Sequence, residues 1–153
     1  HKELEKLLHD HSDNLHFTGL IERAKMPQLY QLGDVMLLPS YDELFPMTVL
    51  EAMSCGKPIL LRDLSLYQVI LDGYYLKADN RQFIAQLVQL SRDEAYYARA
   101  CEMSARGNRF YSEEHVLGMW QEFYHLCLQE SLQRQSERRR RSPVVQLAGG
   151  GWR

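Results

Sequence analysis

Pro39-Ser-Tyr-Asp-Glu-Leu-Phe-Pro-Met-Thr-Val-Leu-Glu-Ala-Met-Ser-Cys-Gly-Lys-Pro58 is the stretch from which the rest of this chain can be read. Immediately before it, Asp34-Val-Met-Leu-Leu-Pro39 is a continuous apolar run of strand length ended by proline, the pattern of a strand buried on both faces. Within it, Pro46 to Ser54 has helical character and stops at Gly56, a good position for the glycine that follows a helix. Immediately after, Pro58-Ile-Leu-Leu61 is a second fully apolar strand. A strand, a loop, a helix and a strand in that order imply a right-handed crossover and parallel pairing.

The pattern repeats outward. His1 to about His11 places Leu4, Leu7 and Leu8 at helical spacing, and Asn14-Leu-His-Phe-Thr-Gly19 is a short extended run closed by glycine. Met26 to Leu32 reads as a helix that tolerates Pro27 in its first turn. Downstream, a short helix is expected over Leu64 to Leu71 and a last short strand at Tyr74-Tyr-Leu76. Helices then follow over Arg81 to Ser91, Asp93 to about Asn108, and Glu113 to about Gln133, the last with Val116, Trp120, Phe123, Tyr124 and Cys127 on one stripe. The expected fold class is α/β, a parallel sheet flanked by helices with a helical C-terminus. Residues 1–133 form the expected domain. From Arg134 the apolar face is lost, and 134–153 reads as a basic, disordered tail or a cloning-derived scar in preference to a segment that binds anionic headgroups.

Composition limits the function. The chain has 153 residues, 45% hydrophobic and 25% charged, which suits one globular domain and argues against fibrous or disordered classes. No run of eighteen apolar residues occurs, and the first residues do not read as a signal sequence, so a cytoplasmic location is expected. Three cysteines without a C-x-x-C pair argue against a disulfide framework or a zinc knuckle. Through Gln133 there are 12 basic and 19 acidic residues, a poor electrostatic match to nucleic acid, whereas 134–153 holds six arginines and one glutamate. No metal site is expected: His9 and His11 point different ways from one helix, and His115 and His125 lack a well-placed carboxylate.

The chemistry centres on Glu43 and Glu51, separated by seven residues across a junction from loop to helix at the carboxyl end of a strand, where open α/β sheets bind ligands. The amides of Met47, Thr48 and Val49 are expected to be unpaired at the helix start, where the positive dipole end favours an anion such as phosphate. Carboxylates accept hydrogen bonds from vicinal hydroxyls, so two of them beside an anion site suit a sugar nucleotide. Other readings of the same spacing stand beside this one. Thr48-Val-Leu-Glu51 also fits a capping box, and Glu43 taken alone is an ordinary loop carboxylate.

The string from Pro39 to Ile59 resembles the E-x7-E signature of retaining GT-B glycosyltransferases of family four. Phe17-Thr-Gly19 and Leu32-Gly-Asp-Val-Met-Leu-Leu-Pro-Ser40 are similar to the flanking pattern of their C-terminal, donor-binding domain, and the likeness runs from about residue 1 to 130. The resemblance implies a Rossmann-like sheet that forms one half of a GT-B fold. It implies that Glu43 accepts hydrogen bonds from the donor sugar while the backbone at Phe45 and Met47 approaches it. Thr48 and Val49 would then hold the diphosphate, Glu51 the ribose, and the backbone at Leu20 and Ile21 would face the base. Pro46 departs from the family's glycine-rich pattern and has no N–H to offer. Glu-Leu-Phe-Pro-Met-Thr, with Leu60-Leu-Arg-Asp-Leu64 and Tyr74-Tyr-Leu-Lys77, is further similar to bacterial diacylglycerol glucosyltransferases.

By that likeness the donor is UDP-glucose, the partners are the nucleotide-sugar and an acceptor domain expected upstream, and peripheral contact with the inner face of the plasma membrane follows. No resident cofactor is implied. The family's diphosphate-neutralising arginine and lysine are expected upstream of His1; Lys57 does not fit that role, and Arg62 more naturally pairs with Asp63 or Asp42. The expected function is therefore the donor-binding domain of a retaining hexosyltransferase, inactive as a fragment. The rivals are a non-catalytic nucleotide-sugar-binding or interaction module, and an unrelated doubly wound enzyme whose glutamates are capping and surface residues.

Overall fold

Prolines and glycines punctuate the chain where the elements begin and end. In a computed structural model, which describes residues 5–6 and 13–141, a 3-10 turn at Arg23–Lys25 leads into α1, Met26–Leu32, with Pro27 in the first turn, where its missing N–H costs no helical bond. The parallel sheet has three short strands in the order β1-β2-β3: β1 Met36–Leu38, β2 Ile59–Arg62 and β3 Leu76–Ala78. Its register sets Leu37 beside Leu60, and Leu60 beside Leu76. The crossovers are α2, Met47–Ser54, and α3, Ser65–Ile70. Helices α4, Gln82–Arg92, and α5, Glu94–Phe110, follow, and then α6, Glu113–Arg141.

The chain divides into a compact unit over 1–108 and a second over 109–153. In the first, the core joins Val49, Ala52 and Met53 of α2 to Ile59, Leu60 and Leu61 of β2, with Tyr67, Leu71, Tyr75 and Ala78 beyond them. The apolar spacing of α2 puts its buried residues on one face, as an amphipathic helix requires. Gly56, at φ +72°, makes the left-handed exit from α2 that a side chain would resist. Gly107 has a different purpose: a Cβ there would sit 2.8 Å from Met53 Sδ and 3.0 Å from Tyr74 Cβ, so glycine lets α5 lie directly on α2. Nearby, the buried Ser104 hydroxyl is satisfied by donating to the Lys57 carbonyl at 2.7 Å.

Several expectations need correction. β1 is not buried on both faces: it pairs on one side only among the described residues, and Leu37 is 40% exposed. The last strand lies two residues later than expected, because Tyr74 closes a turn onto the Leu71 carbonyl and Tyr75 is buried beside Tyr67. Asn14 to Gly19 joins no strand among the described residues. The helix expected over His1 to His11 lies outside them apart from Glu5 and Lys6, which are helical.

In the second unit, α6 runs through Arg141 where a disordered tail was expected from Arg134. The physical reason is composition: Gln, Arg and Glu are good helix formers, no glycine or proline intervenes before Pro143, and Glu130 pairs with Arg134 one turn on at 3.2 Å. Trp120, Phe123 and Tyr124 do form one aromatic cluster, with ring centroids 5.7–5.9 Å apart. All three are more than half exposed. The remainder of the expected tail, 142–153, is outside the described residues.

Candidate functional site

The carboxyl ends of the three strands open onto the loop 39–46, the end of β2 at Arg62 and the turn at Asp79 and Asn80. Glu43 sits in that loop, half-buried, and accepts a hydrogen bond at Oε1 from Ser40 Oγ at 2.7 Å. Leu44 and Phe45 are exposed beside it, and Pro46 is buried as the residue that starts α2. A proline there fixes the entry angle of the chain and supplies no side-chain cap. Below the loop, the Tyr67 hydroxyl is fully buried with no hydrogen-bond partner among the described residues. Burial, with Glu43's negative charge and Tyr75 adding to it, pushes the Tyr67 phenol up to about 12, so it stays protonated at neutral pH.

At the start of α2, Met47 and Thr48 are exposed, whereas Val49 is wholly buried. Of the three amides expected to be unpaired, that of Val49 is already used, donating to the Pro46 carbonyl at 2.9 Å. The first-turn amides of Met47 and Thr48 have no preceding helical carbonyl to reach, which leaves them to acceptors outside the helix.

Glu51 does not cap the helix. With Pro46 at the cap position, Glu51 falls in the second turn, and the Tyr30 hydroxyl of α1 donates to its Oε2 at 2.8 Å. Burial pushes the Tyr30 phenol up to about 12, and its hydrogen bond to Glu51, the Glu51 charge and Cys55 add to the rise. Tyr30 is thus a fixed donor at neutral pH, and Oε1 is left without a protein partner among the described residues. Glu51 lines a cavity of about 190 Å³ with Arg23, Met26, Pro27, Tyr30, Ser54 and Cys55.

Leu20 and Ile21 are not in that cavity. They line a separate groove of about 460 Å³ against Glu22, Lys25, Gln28, Leu29 and Leu32. The structure therefore brings Glu51 and the α2 start together on one helix, keeps Glu43 on the adjoining loop, and sets Leu20 and Ile21 on another flank of α1. Arg62 pairs with neither Asp63 nor Asp42; its guanidinium donates to the carbonyls of Pro39 and Ser40 and to Asn80. Lys57 reaches the Gln31 carbonyl at 3.2 Å, away from the α2 start. Among the described residues, no group of three or more His, Cys, Asp or Glu side chains is placed to hold a metal ion.

Residues 1–93 match the family model described as "Glycosyl transferases group 1". The chain belongs to the group 1 glycosyl transferases. Among curated relatives, this group 1 domain is 46% identical over 112 residues to an alpha-galactosylglucosyldiacylglycerol synthase of Streptococcus pneumoniae, covering 72% of the chain and 30% of the relative. It is 29% identical over 118 residues to the Campylobacter jejuni N,N'-diacetylbacillosaminyl-diphospho-undecaprenol alpha-1,3-N-acetylgalactosaminyltransferase, covering 74% of the chain and 31% of that protein. A shorter stretch of 44 residues is 43% identical to a sulfoquinovosyl transferase of Arabidopsis thaliana, covering 29% of the chain and 9% of that protein. The chain thus spans about a third of the first two relatives' length. The α/β architecture, with a three-stranded parallel sheet and helical finish, is that of one Rossmann-like half of such an enzyme.

Sequence reasoning did not anticipate Tyr30 or Ser40, which hold the two glutamates, nor the contacts of Arg62. Tyr30 lies 21 residues from Glu51 and reads as an ordinary apolar position of α1. Ser40 is three residues before Glu43, close enough for the local spacing to have marked it.

Proposed function

We propose that the chain is the donor-binding half of a retaining hexosyltransferase that moves glucose from UDP-glucose to an acceptor, a diacylglycerol-type lipid, without a resident metal or cofactor. The observation that carries the reading is Glu51: one carboxylate oxygen is pinned by Tyr30, the other has no partner among the described residues, and both stand one turn from the first-turn amides of α2. A ribose diol suits the carboxylate, and a diphosphate suits the amides. The amides stabilise the departing nucleotide diphosphate while Glu43, held by Ser40, orients the sugar.

Calorimetric titration of the purified chain with UDP, UDP-glucose and GDP tests this. We expect UDP and UDP-glucose to bind at least about tenfold more tightly than GDP, a difference of about 1.4 kcal/mol. Equal affinity for UDP and GDP sinks the UDP-sugar assignment.

The same reading sets the acceptor lipid at the inner face of the plasma membrane and calls for a peripheral contact there. Arg134, Arg138 and Arg140 are exposed at the end of α6, and a basic helical end of this kind suits an anionic bilayer. Each arginine near such a surface contributes about 1 kcal/mol before screening. Co-sedimentation with phosphatidylglycerol vesicles at low salt should fall to the level of phosphatidylcholine vesicles when Arg138 to Arg141 are replaced by serine. Equal sedimentation of both proteins on both lipids removes the contact from this segment.

A further inference from the structure

Arg62 stands at the carboxyl edge of the sheet, and its bonding is unusual for so polar a group. It ends β2, is half-buried, and meets no carboxylate among the described residues. Its Nε donates to the carbonyls of Pro39 at 3.0 Å and Ser40 at 3.1 Å, and its Nη1 donates to Asn80 Oδ1 at 2.5 Å. The guanidinium carbon lies 3.8 Å from the centroid of the Tyr41 ring. Asn80 closes the ring of contacts by donating from Nδ2 to the Tyr41 hydroxyl at 3.1 Å. Three consecutive loop residues, Pro39, Ser40 and Tyr41, are thus held from the ends of β2 and β3. The next link is direct: Ser40 Oγ donates to Glu43.

We propose that Arg62, with Asn80 and Tyr41, is a positioning clamp for the Glu43 carboxylate: it fixes the loop 39–43, so that Glu43 meets the donor sugar in one orientation. The proposal rests on the donor-site reading of Glu43. A planar guanidinium suits this work better than an ammonium, because it donates from Nε to two carbonyls and from Nη1 to an amide oxygen while its carbon lies over an aromatic ring. An arginine placed only for charge would sit on Asp63 or Asp42, its neighbours in sequence and across the loop. Instead it satisfies backbone acceptors that a loop otherwise leaves to water. Glu51 and the α2 start lie outside this network, so nucleotide and sugar contacts are separable.

The test compares Arg62→Ala, Arg62→Lys and Asn80→Ala with the unsubstituted chain, first without ligand. Amide hydrogen exchange across residues 40–45 should quicken at least tenfold in Arg62→Ala, less in Asn80→Ala, with the amides of α2 unchanged. Calorimetry then separates the two halves of the donor. Arg62→Ala should keep UDP affinity within twofold and lose at least fivefold of the preference for UDP-glucose over UDP, and Arg62→Lys should not restore it.

In a Glu43→Gln background the Arg62→Ala change should add no further loss, because both act through one carboxylate. Unchanged exchange in the loop overturns the clamp. So does an equal fall in UDP and UDP-glucose affinity, which marks general damage, or losses that multiply in the double variant. If the unsubstituted chain shows no preference for UDP-glucose over UDP, the role of Glu43 fails, while the exchange measurement still decides whether Arg62 orders the loop.

Discussion

Glu51→Ala should weaken UDP binding by roughly a hundredfold and leave the chain folded. A carboxylate that accepts from both hydroxyls of a ribose makes two charge-assisted hydrogen bonds, each worth about 1.5–3 kcal/mol, so their loss amounts to about 3 kcal/mol or more. That is about two powers of ten in affinity. Glu51→Gln should fall between, near tenfold, since the amide keeps one acceptor and a similar shape. The fold is expected to survive because Glu51 is only half-buried and its one protein partner among the described residues' side chains is Tyr30.

Tyr30 supplies an internal control for this variant. Without Glu51 its phenol loses both the hydrogen bond and the negative charge that help raise it to about 12, and it should titrate lower while staying above an ordinary tyrosine, because burial is the largest cause. Calorimetry reads the affinity and ultraviolet titration reads the phenol. A shifted phenol with unchanged UDP affinity would show that Glu51 serves Tyr30 and no ligand.

The parts of this molecule that were legible in the sequence are those where a local pattern meets a breaker. Pro27, Pro39, Pro46 and Pro58 with Gly56 delimit α1, β1, α2 and β2, and each element lies within a residue or two of the expected place. The family resemblance adds the order of these elements and the two glutamates. An apolar run records that a strand is hydrophobic and not what covers it, and so Leu37 was expected to be buried and lies at a sheet edge. Likewise, Tyr74 and Tyr75 look like strand residues because aromatic side chains favour strands, yet Gly73 and the Leu71 carbonyl claim them for a turn.

The reading of the tail failed in the opposite direction. A missing apolar face argues against packing, and says less about the helical backbone of an arginine- and glutamine-rich segment that no breaker interrupts. Least legible were the long-range polar contacts. Tyr30 with Glu51 and Arg62 with Asn80 join residues 21 and 18 apart, and no periodicity encodes them. Arg62 shows why: beside Asp63 in sequence, it is directed by the fold to carbonyls that only the tertiary structure brings near.

Leu60→Ala should be the most damaging single truncation in the sheet, costing about 3 kcal/mol in urea unfolding, whereas Leu37→Ala in the same register should cost about 1 kcal/mol or less. The two leucines are direct neighbours across β1 and β2, so they share chemistry and backbone setting and differ in burial. Leu60 is wholly buried in the central strand, between Leu37 and Leu76, and Leu37 is 40% exposed at the edge. Removing the Leu60 side chain forfeits its transfer free energy and leaves a cavity that three strands of three or four residues have little freedom to close. Against a total stability of about 5–15 kcal/mol for a domain, that is a large fraction. The effect should reach the site, because Arg62 stands two residues further along the same strand, and its loop contacts depend on where β2 ends. Equal losses for the two variants would mean that β1 is covered in solution as well as β2, and would move Leu37 from the edge of the sheet to its interior.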